Sequence, residues 1–161
     1  MKLVVSDTSP VRALFHLGLV GLLPDLFGRV LVPPGVAQEL RDPPATFQAI
    51  HIEALPGFEV VEPMDKGRIA QLHMFLDRGE SEAIALAIEV GADGILMDES
   101  DGRAAAKKLG IATIGVVGLL VRAKAESRIA AVLPLLDRLR DQARFFVSPA
   151  LREQARQLSG E

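Results

Sequence analysis

The sequence predicts an α/β fold: a three-layer α/β/α domain with a central, mainly parallel sheet of about five strands. The first observation is a series of short apolar runs bounded by turn-forming residues, a pattern typical of buried strands. The second is that the segments between these runs have helical apolar spacing. Alternating strands and helices form βαβ units, which cover both faces of a parallel sheet. We therefore expect one domain over residues 1–161, which is long enough to bury a core.

The predicted strands are short apolar runs, at residues 3–5, 30–32, 58–61, 94–97 and 111–114. The predicted helices share apolar spacing near one helical turn, at residues 10–17, 34–40, 66–77, 80–90, 101–109, 115–125 and 129–140. Pro10 and Pro34 stand at first-turn positions, where proline is favoured, and Ser9 is a possible N-cap. Residues 145–149 predict a short strand or a docking segment, and a C-terminal docking helix is predicted at about 149–158.

Composition excludes several kinds of protein. The chain has no cysteine, so it has neither disulfides nor a thiolate zinc site. Because no apolar run is long enough for a signal peptide or a membrane span, we expect a soluble cytoplasmic protein without membrane contact. Residues 1–102 carry 7 basic and 16 acidic side chains, whereas residues 103–161 carry 11 and 5. This asymmetry is typical either of an acidic site beside a basic surface or of solvated helix faces.

Two aspartates follow predicted strands. Asp7 comes one residue after the first strand, and Asp98 comes directly after the fourth. Ligand sites in open parallel sheets form at the carboxyl ends of the strands, so the sheet would bring these two residues together. Taken alone, Asp7 is equally well explained as a helix cap, and Asp98 as a turn residue.

Glutamates within helical patterns extend this acidic set. Glu39 lies in the second helix, with solvent exposure as the alternative explanation, and the helix dipole explains Glu80 and Glu82 equally well. Several carboxylates in one cleft would repel one another unless a cation neutralised them. With no cysteine and only three scattered histidines, oxygen ligands suit Mg²⁺, or Mn²⁺, better than zinc. Since Mg²⁺ commonly binds together with a phosphate, the substrate would be a phosphate compound.

The order and spacing of several segments resemble the PIN-domain nucleases, especially small prokaryotic members that act as toxins in toxin–antitoxin pairs. These segments are Asp7-Thr8-Ser9-Pro10, Val32-Pro33 with Val36 to Leu40, Gly79 to Ala87, and Met97 to Arg103. Segments near Gly115–Leu120, Ala123-Lys124 and Phe145–Ser148 resemble a branch of that family with little assigned function. The chain departs from the commoner toxin pattern by having glutamate, not aspartate, at position 80, and by lacking a threonine two residues before Asp98.

The resemblance implies an Mg²⁺-dependent ribonuclease, possibly a toxin. The acids that would be catalytic and metal-binding are Asp7, Glu39, Glu80 and Asp98, and Asp101 would be an additional metal ligand. Glu80 is preferred over Glu82 because its distance from Gly91 fits the family pattern better. The hydroxyl of Thr8 or Ser9 would support Asp7.

Substrate and partners follow from the same hypothesis. Arg103, Lys107 and Lys108 begin the basic half directly after the acidic residues and would steer RNA, with a solvated helix face as the alternative for each. Residues 10–27 are more apolar than one packed face requires, which suggests a homodimer or, by resemblance, the docking of an antitoxin segment.

Two alternative functions stay open. The first is a non-catalytic RNA- or protein-binding regulator with a degenerate metal site. The second is a phosphate-handling enzyme of another doubly wound family, in which one aspartate is the nucleophile, usually with a lysine nearby.

Overall fold

The computed structural model describes residues 2–161 and contains a five-stranded sheet in which all strands are parallel. Met1, the first residue of the predicted domain, lies outside the described residues. The strands are β1 (Leu3–Ser6), β2 (Arg29–Val32), β3 (Phe58–Val60), β4 (Gly94–Leu96) and β5 (Thr113–Ile114). Their order in the sheet is β3-β2-β1-β4-β5. The predicted three-layer α/β class is confirmed, with a sheet that is wholly parallel.

Helices cover both faces of the sheet. They are α1 (Thr8–His16), α2 (Leu22–Phe27), α3 (Pro34–Arg41), α4 (Lys66–His73), α5 (Arg78–Val90), α6 (Ser100–Lys108), α7 (Val116–Ala125), α8 (Leu133–Gln142) and α9 (Pro149–Ser159), with a 3₁₀ turn at Ile52–Ala54. No helix within residues 2–161 is long and apolar enough to cross a membrane.

Two local expectations need correction. Helix α1 starts two residues earlier than the apolar pattern predicts, because Asp7, and not Ser9, occupies its N-cap position. The strand alternative for residues 145–149 is wrong, since residues 145–148 are neither strand nor helix. Phe145 and Val147 pack against the core there, while Phe146 is 82% exposed.

The apolar core consists of two clusters, one on each face of the sheet. Successive residues of β1 point to opposite faces: Val4 belongs to the cluster under α1, α2 and α7, and Val5 belongs to the cluster under α5. Both faces are covered, which explains why the strands are continuously apolar and do not alternate with polar residues.

The switch point of the sheet lies between β1 and β4. The chain leaves β1 to build β2 and β3 on one side, and later returns to add β4 and β5 on the other. Ser6 aligns with Leu96 across the pair, and the Asp7 amide extends it by donating to the Leu96 carbonyl at 2.9 Å. The residues that directly follow β1 and β4 therefore leave the same edge of the sheet, where open α/β sheets bind ligands.

Candidate active site

Asp7 stands at the carboxyl end of β1 and is only 4% exposed. It occupies the N-cap position of α1, yet its side chain makes no capping hydrogen bond to Thr8–His16. Burial raises the pKa of Asp7 to about 7; the Thr8 amide opposes this, and the charges of Asp77, Glu39 and Glu99 add to it. The helix-cap explanation therefore does not account for this carboxyl group.

Glu39, on α3, approaches Asp7 across the start of α5. A Cβ atom at Gly79 would lie 2.9 Å from Glu39 Oε1 and 3.5 Å from Asp7 Oδ1, so a glycine lets both carboxylates reach this point. The Thr8 hydroxyl donates to Glu39 Oε2 at 2.6 Å. The hydroxyl predicted to support Asp7 thus orients Glu39 instead, while the Thr8 amide lowers the pKa of Asp7 against the effect of burial. Ser9 lies in the first turn of α1.

Glu80 lies in the first turn of α5, beside α6, and is 7% exposed. Its amide donates to Asp77, the N-cap of α5, at 2.8 Å. Burial raises the pKa of Glu80 to about 8, helped by a side-chain hydrogen bond with Asp77 and by the charges of Asp77 and Asp7. A Cβ at Gly102 on α6 would be 2.7 Å from Glu80 Oε2. We call Asp7, Glu39, Asp77 and Glu80 the acidic cluster.

Glu82 is also buried, but its carboxylate faces other groups. Oε1 accepts from the Gly35 amide at 3.0 Å, and Oε2 accepts from Arg78 Nε at 2.6 Å. Glu82 therefore links the first turn of α3 to α5. This arrangement supports Glu80 over Glu82 as the site residue.

Asp98 follows β4 by one residue and is mostly enclosed. Its Oδ1 accepts from the Val116 amide at 2.9 Å, whereas its buried Oδ2 has no hydrogen-bond partner within residues 2–161. Burial raises the pKa of Asp98 to about 6, against the lowering effects of the Val116 amide and Arg103. A Cβ at Gly115 would be 2.9 Å from Oδ1, so a side chain at this position would displace the Asp98 carboxylate.

The remaining predicted residues lie on α6. Asp101 is exposed in its first turn. Arg103 donates to the Met97 carbonyl at 2.8 Å and so supports the strand end that leads to Asp98. Lys107 and Lys108 are exposed in the last turn, about 10 Å along the helix axis from Ser100. The structure therefore brings Arg103 to the site and places the two lysines at the far end of α6.

A sequence profile of a family described as a PIN domain matches residues 3–161. The chain belongs to the PIN-domain family. No curated protein matches it with statistical significance. PIN domains are generally nucleases, and the candidate residues Asp7 and Asp98 of this PIN domain follow the neighbouring strands β1 and β4.

Two acids of this PIN domain were not singled out from the sequence, Asp77 and Glu99. Each occupies the N-cap position of a helix, where an acid is expected for structural reasons. The charge of Asp77 raises the pKa of both Asp7 and Glu80. The charge of Glu99 raises the pKa of both Asp7 and Asp98. Their closeness in sequence to Glu80 and Asp98 was the available signal. Glu99 is the charge that connects the acidic cluster to Asp98.

The candidate site of this PIN domain has the ligand atoms that a hard divalent cation prefers. Every candidate donor is a carboxylate oxygen, and Asp98 Oδ2 is a buried acceptor without a partner among residues 2–161. Within those residues, no three acidic or histidine side chains converge closely enough to hold an ion. Binding an ion between the acidic cluster and Asp98 therefore requires their carboxylates to approach one another.

Proposed function

We propose that this PIN domain is an Mg²⁺-dependent ribonuclease, with Mn²⁺ as an alternative ion, that hydrolyses RNA phosphodiester bonds. The observation that carries the proposal is a buried carboxylate at the switch point whose charged neighbours are acids. The charges acting on Asp7 come from Asp77, Glu39 and Glu99. Such an arrangement is costly to ionise without a cation and is typical of functional sites.

Asp7, Glu39, Glu80 and Asp98 would hold the cation, with Asp101 as an additional ligand at the exposed start of α6. When bound, a divalent ion neutralises the carboxylates, activates a water and stabilises charge on the scissile phosphate. Thr8 keeps Glu39 oriented, and Arg103 supports the segment that carries Asp98. Because the acids alone would repel RNA, the cation also allows the phosphate backbone to approach.

The direct test is cleavage of single-stranded and structured RNAs by the purified protein in Mg²⁺, compared with Asp7→Asn. Removing a central ligand should lower the cleavage rate by at least about a hundredfold, the loss typical for a group that stabilises transition-state charge. Asp25→Asn on α2 is the matched control, since it removes the same charge from an exposed position. Cleavage that survives unchanged in Asp7→Asn would contradict the proposal.

The spacing of the carboxylates favours one alternative, a non-catalytic RNA- or protein-binding regulator with a degenerate site. It is supported by the finding that no three potential ligands within residues 2–161 converge on one point. Titration calorimetry with Mn²⁺ separates the two functions. Binding that Asp7→Asn abolishes supports the nuclease, and RNA binding without any Mn²⁺ uptake supports the regulator.

The proposals for partners rest on the family resemblance. We propose RNA as substrate, with an antitoxin protein or a second copy of the chain as protein partner. The apolar residues of 10–27 are mostly in the core, and those that remain partly accessible are Phe15, Leu19 and Val20. Sedimentation equilibrium tests the homodimer: a strict monomer would remove it.

A further inference from the structure

A cavity of about 310 Å³ that is open to solvent lies beside the acidic cluster, between α3 and the start of α5. The residues that line it are Gly35, Gln38, Glu39, Asp42 and Arg78. Those from α3 and its C-cap are three or four positions apart and so form one face of the helix. The volume is at the lower end of the range for ligand cavities, about 300–1,000 Å³, which suits one small ligand unit.

Arg78 is the basic side chain in the wall of this cavity, and its guanidinium is held in place. Nε donates to Glu82 Oε2 at 2.6 Å, and Nη1 donates to Gln38 Oε1 at 2.7 Å. A guanidinium has five N–H donors, and these contacts use two of them. The side chain remains 55% exposed, whereas its partner Glu82 is 9% exposed. Arg78 is thus a preoriented cation at the opening of a cavity that also contains Glu39.

The chemistry of the cavity fits a phosphate joined to a hydrogen-bond donor. An arginine with an oriented fork recognises phosphate oxygens bidentately. Away from Arg78 the lining carries acceptors on the carboxylates of Glu39 and Asp42. Ribose 2′-hydroxyls and base N–H groups are donors that such acceptors bind.

We propose that Arg78 binds a backbone phosphate of RNA next to the cleaved bond, and that this cavity receives the unpaired nucleotide attached to it. The inference rests on the proposed ribonuclease function and adds to it Arg78 as a residue that positions the RNA strand. A base within a duplex cannot enter a cavity of this size without leaving its pair. Arg78 then fixes the strand beside Glu39, so that the neighbouring phosphate lies over the acidic cluster.

The test measures binding of a fluorescent single-stranded RNA oligomer between about 50 and 200 mM salt, with Ca²⁺ in place of Mg²⁺ and gels to verify intact RNA. Arg78→Gln should weaken binding by about tenfold. It should also reduce the salt slope, which is the slope of log K against log[salt], by about 0.7, the contribution of one phosphate contact on a single strand. Arg140→Gln is the matched control: it also removes an exposed arginine paired with a carboxylate, and it should leave both quantities unchanged.

Arg78→Lys serves as the second variant, because it keeps the positive charge beside Glu82. It should retain the salt slope but lose part of the affinity, since lysine lacks the fork. Thermal unfolding of each variant checks the fold. Should Arg78→Gln not fold, Arg78→Lys decides, and unchanged affinity in that variant overturns the assignment.

The outcomes separate this inference from the proposed function. If the wild-type protein does not bind the RNA, both fail. If the wild type binds but Arg78→Gln has the same affinity and slope, the Arg78 assignment is overturned while the nuclease stands. A fully paired duplex of the same sequence should bind more weakly, and equal binding would overturn the unpaired-nucleotide cavity.

Discussion

Asp7 and Asp137 lie in regions that shift the pKa of a carboxyl group in opposite directions. Asp7, at the sheet edge, is buried beside other acids, and burial raises its pKa to about 7. Asp137, on α8, accepts two hydrogen bonds from Arg152 of α9, each of 2.9 Å, and these bonds lower its pKa. The sheet edge therefore places Asp7 beside other acids, whereas the C-terminal helices place Asp137 beside an arginine that joins two elements.

Glu161, like Asp137, has its pKa lowered by neighbouring hydrogen-bond donors. Its carboxylate accepts from the amides of Val132 and Leu133 at 2.7 and 3.1 Å and pairs with Lys124 at 3.1 Å. Burial opposes ionisation, but these donors together lower the pKa of Glu161 to about 2. Acids held by cations and amides stabilise the fold, so buried acids that lie beside other acids are the better indicators of function.

The largest effect is expected from Asp7→Asn in the metal-free protein. The pKa of Asp7 is 3.8 in the unfolded chain and about 7 in the folded protein. The stability linked to this shift is therefore fully present below pH 3.8 and is lost as pH rises through about 7, where the buried carboxyl group ionises. Asparagine stays neutral, so the variant should gain about 2–4 kcal/mol over the wild type between pH 4 and pH 8. Urea unfolding in EDTA at both pH values measures this, and a pH-independent difference would contradict it.

Metal binding should depend on pH for the same reason. The cation needs ionised carboxylates, and the pKa values of Asp7 and Glu80 are raised to about 7 and about 8. Mn²⁺ affinity should therefore rise by about ten- to a hundredfold from pH 6 to pH 8, as these groups lose their protons more readily. Calorimetry in two buffers of different ionisation enthalpy should also detect proton release. A constant Mn²⁺ affinity between pH 6 and pH 8 would contradict the raised pKa values that distinguish the sheet edge from the C-terminal helices.

Gly102→Ala sharpens the comparison by changing the space around Glu80. The new Cβ would meet the Met97 sulfur and Glu80 Oε2, so the variant should lose about 1–3 kcal/mol of unfolding free energy and bind Mn²⁺ more weakly. Gly118→Ala on α7 is the control, because its nearest atom, Ile114 Cγ2, is 3.7 Å away. Alanine is the better helix former, so the control should gain up to about 1 kcal/mol. Equal effects in the two variants would show that the space beside Glu80 is not tight.

The smallest effect is expected at Glu161. Glu161→Gln keeps the shape but removes the charge that the two amides and Lys124 bind, and should cost about 1 kcal/mol at neutral pH. A lowered pKa gives stability that is present above 4.5 and lost as pH falls towards about 2, so wild type and variant should converge at low pH. Thermal unfolding at pH 7 and pH 3 tests this, and a constant difference would exclude the ionic contribution.

Much of the fold could be predicted because it follows from local patterns. The apolar runs located all five strands, and helical spacing located most helices to within a few residues. The start of α1 was missed because Pro10 is the third residue of the helix and not the first, while Asp7 occupies the N-cap position. Residues 145–148 look like a strand by composition, but none of the five strands within residues 2–161 pairs with them.

The sequence alone determined the wholly local facts: which segments bury apolar side chains, and that Asp7 and Asp98 follow strands. The tertiary structure decided which charges meet. The packing of α3 on α5 over Gly79 brings Glu39 to Asp7 and places the Gly35 amide against Glu82. The packing of α1 on α3 lets the Thr8 hydroxyl donate to Glu39. These outcomes depend on distances between elements that are far apart along the chain. Periodicity constrains the face of each helix, but only packing fixes those distances.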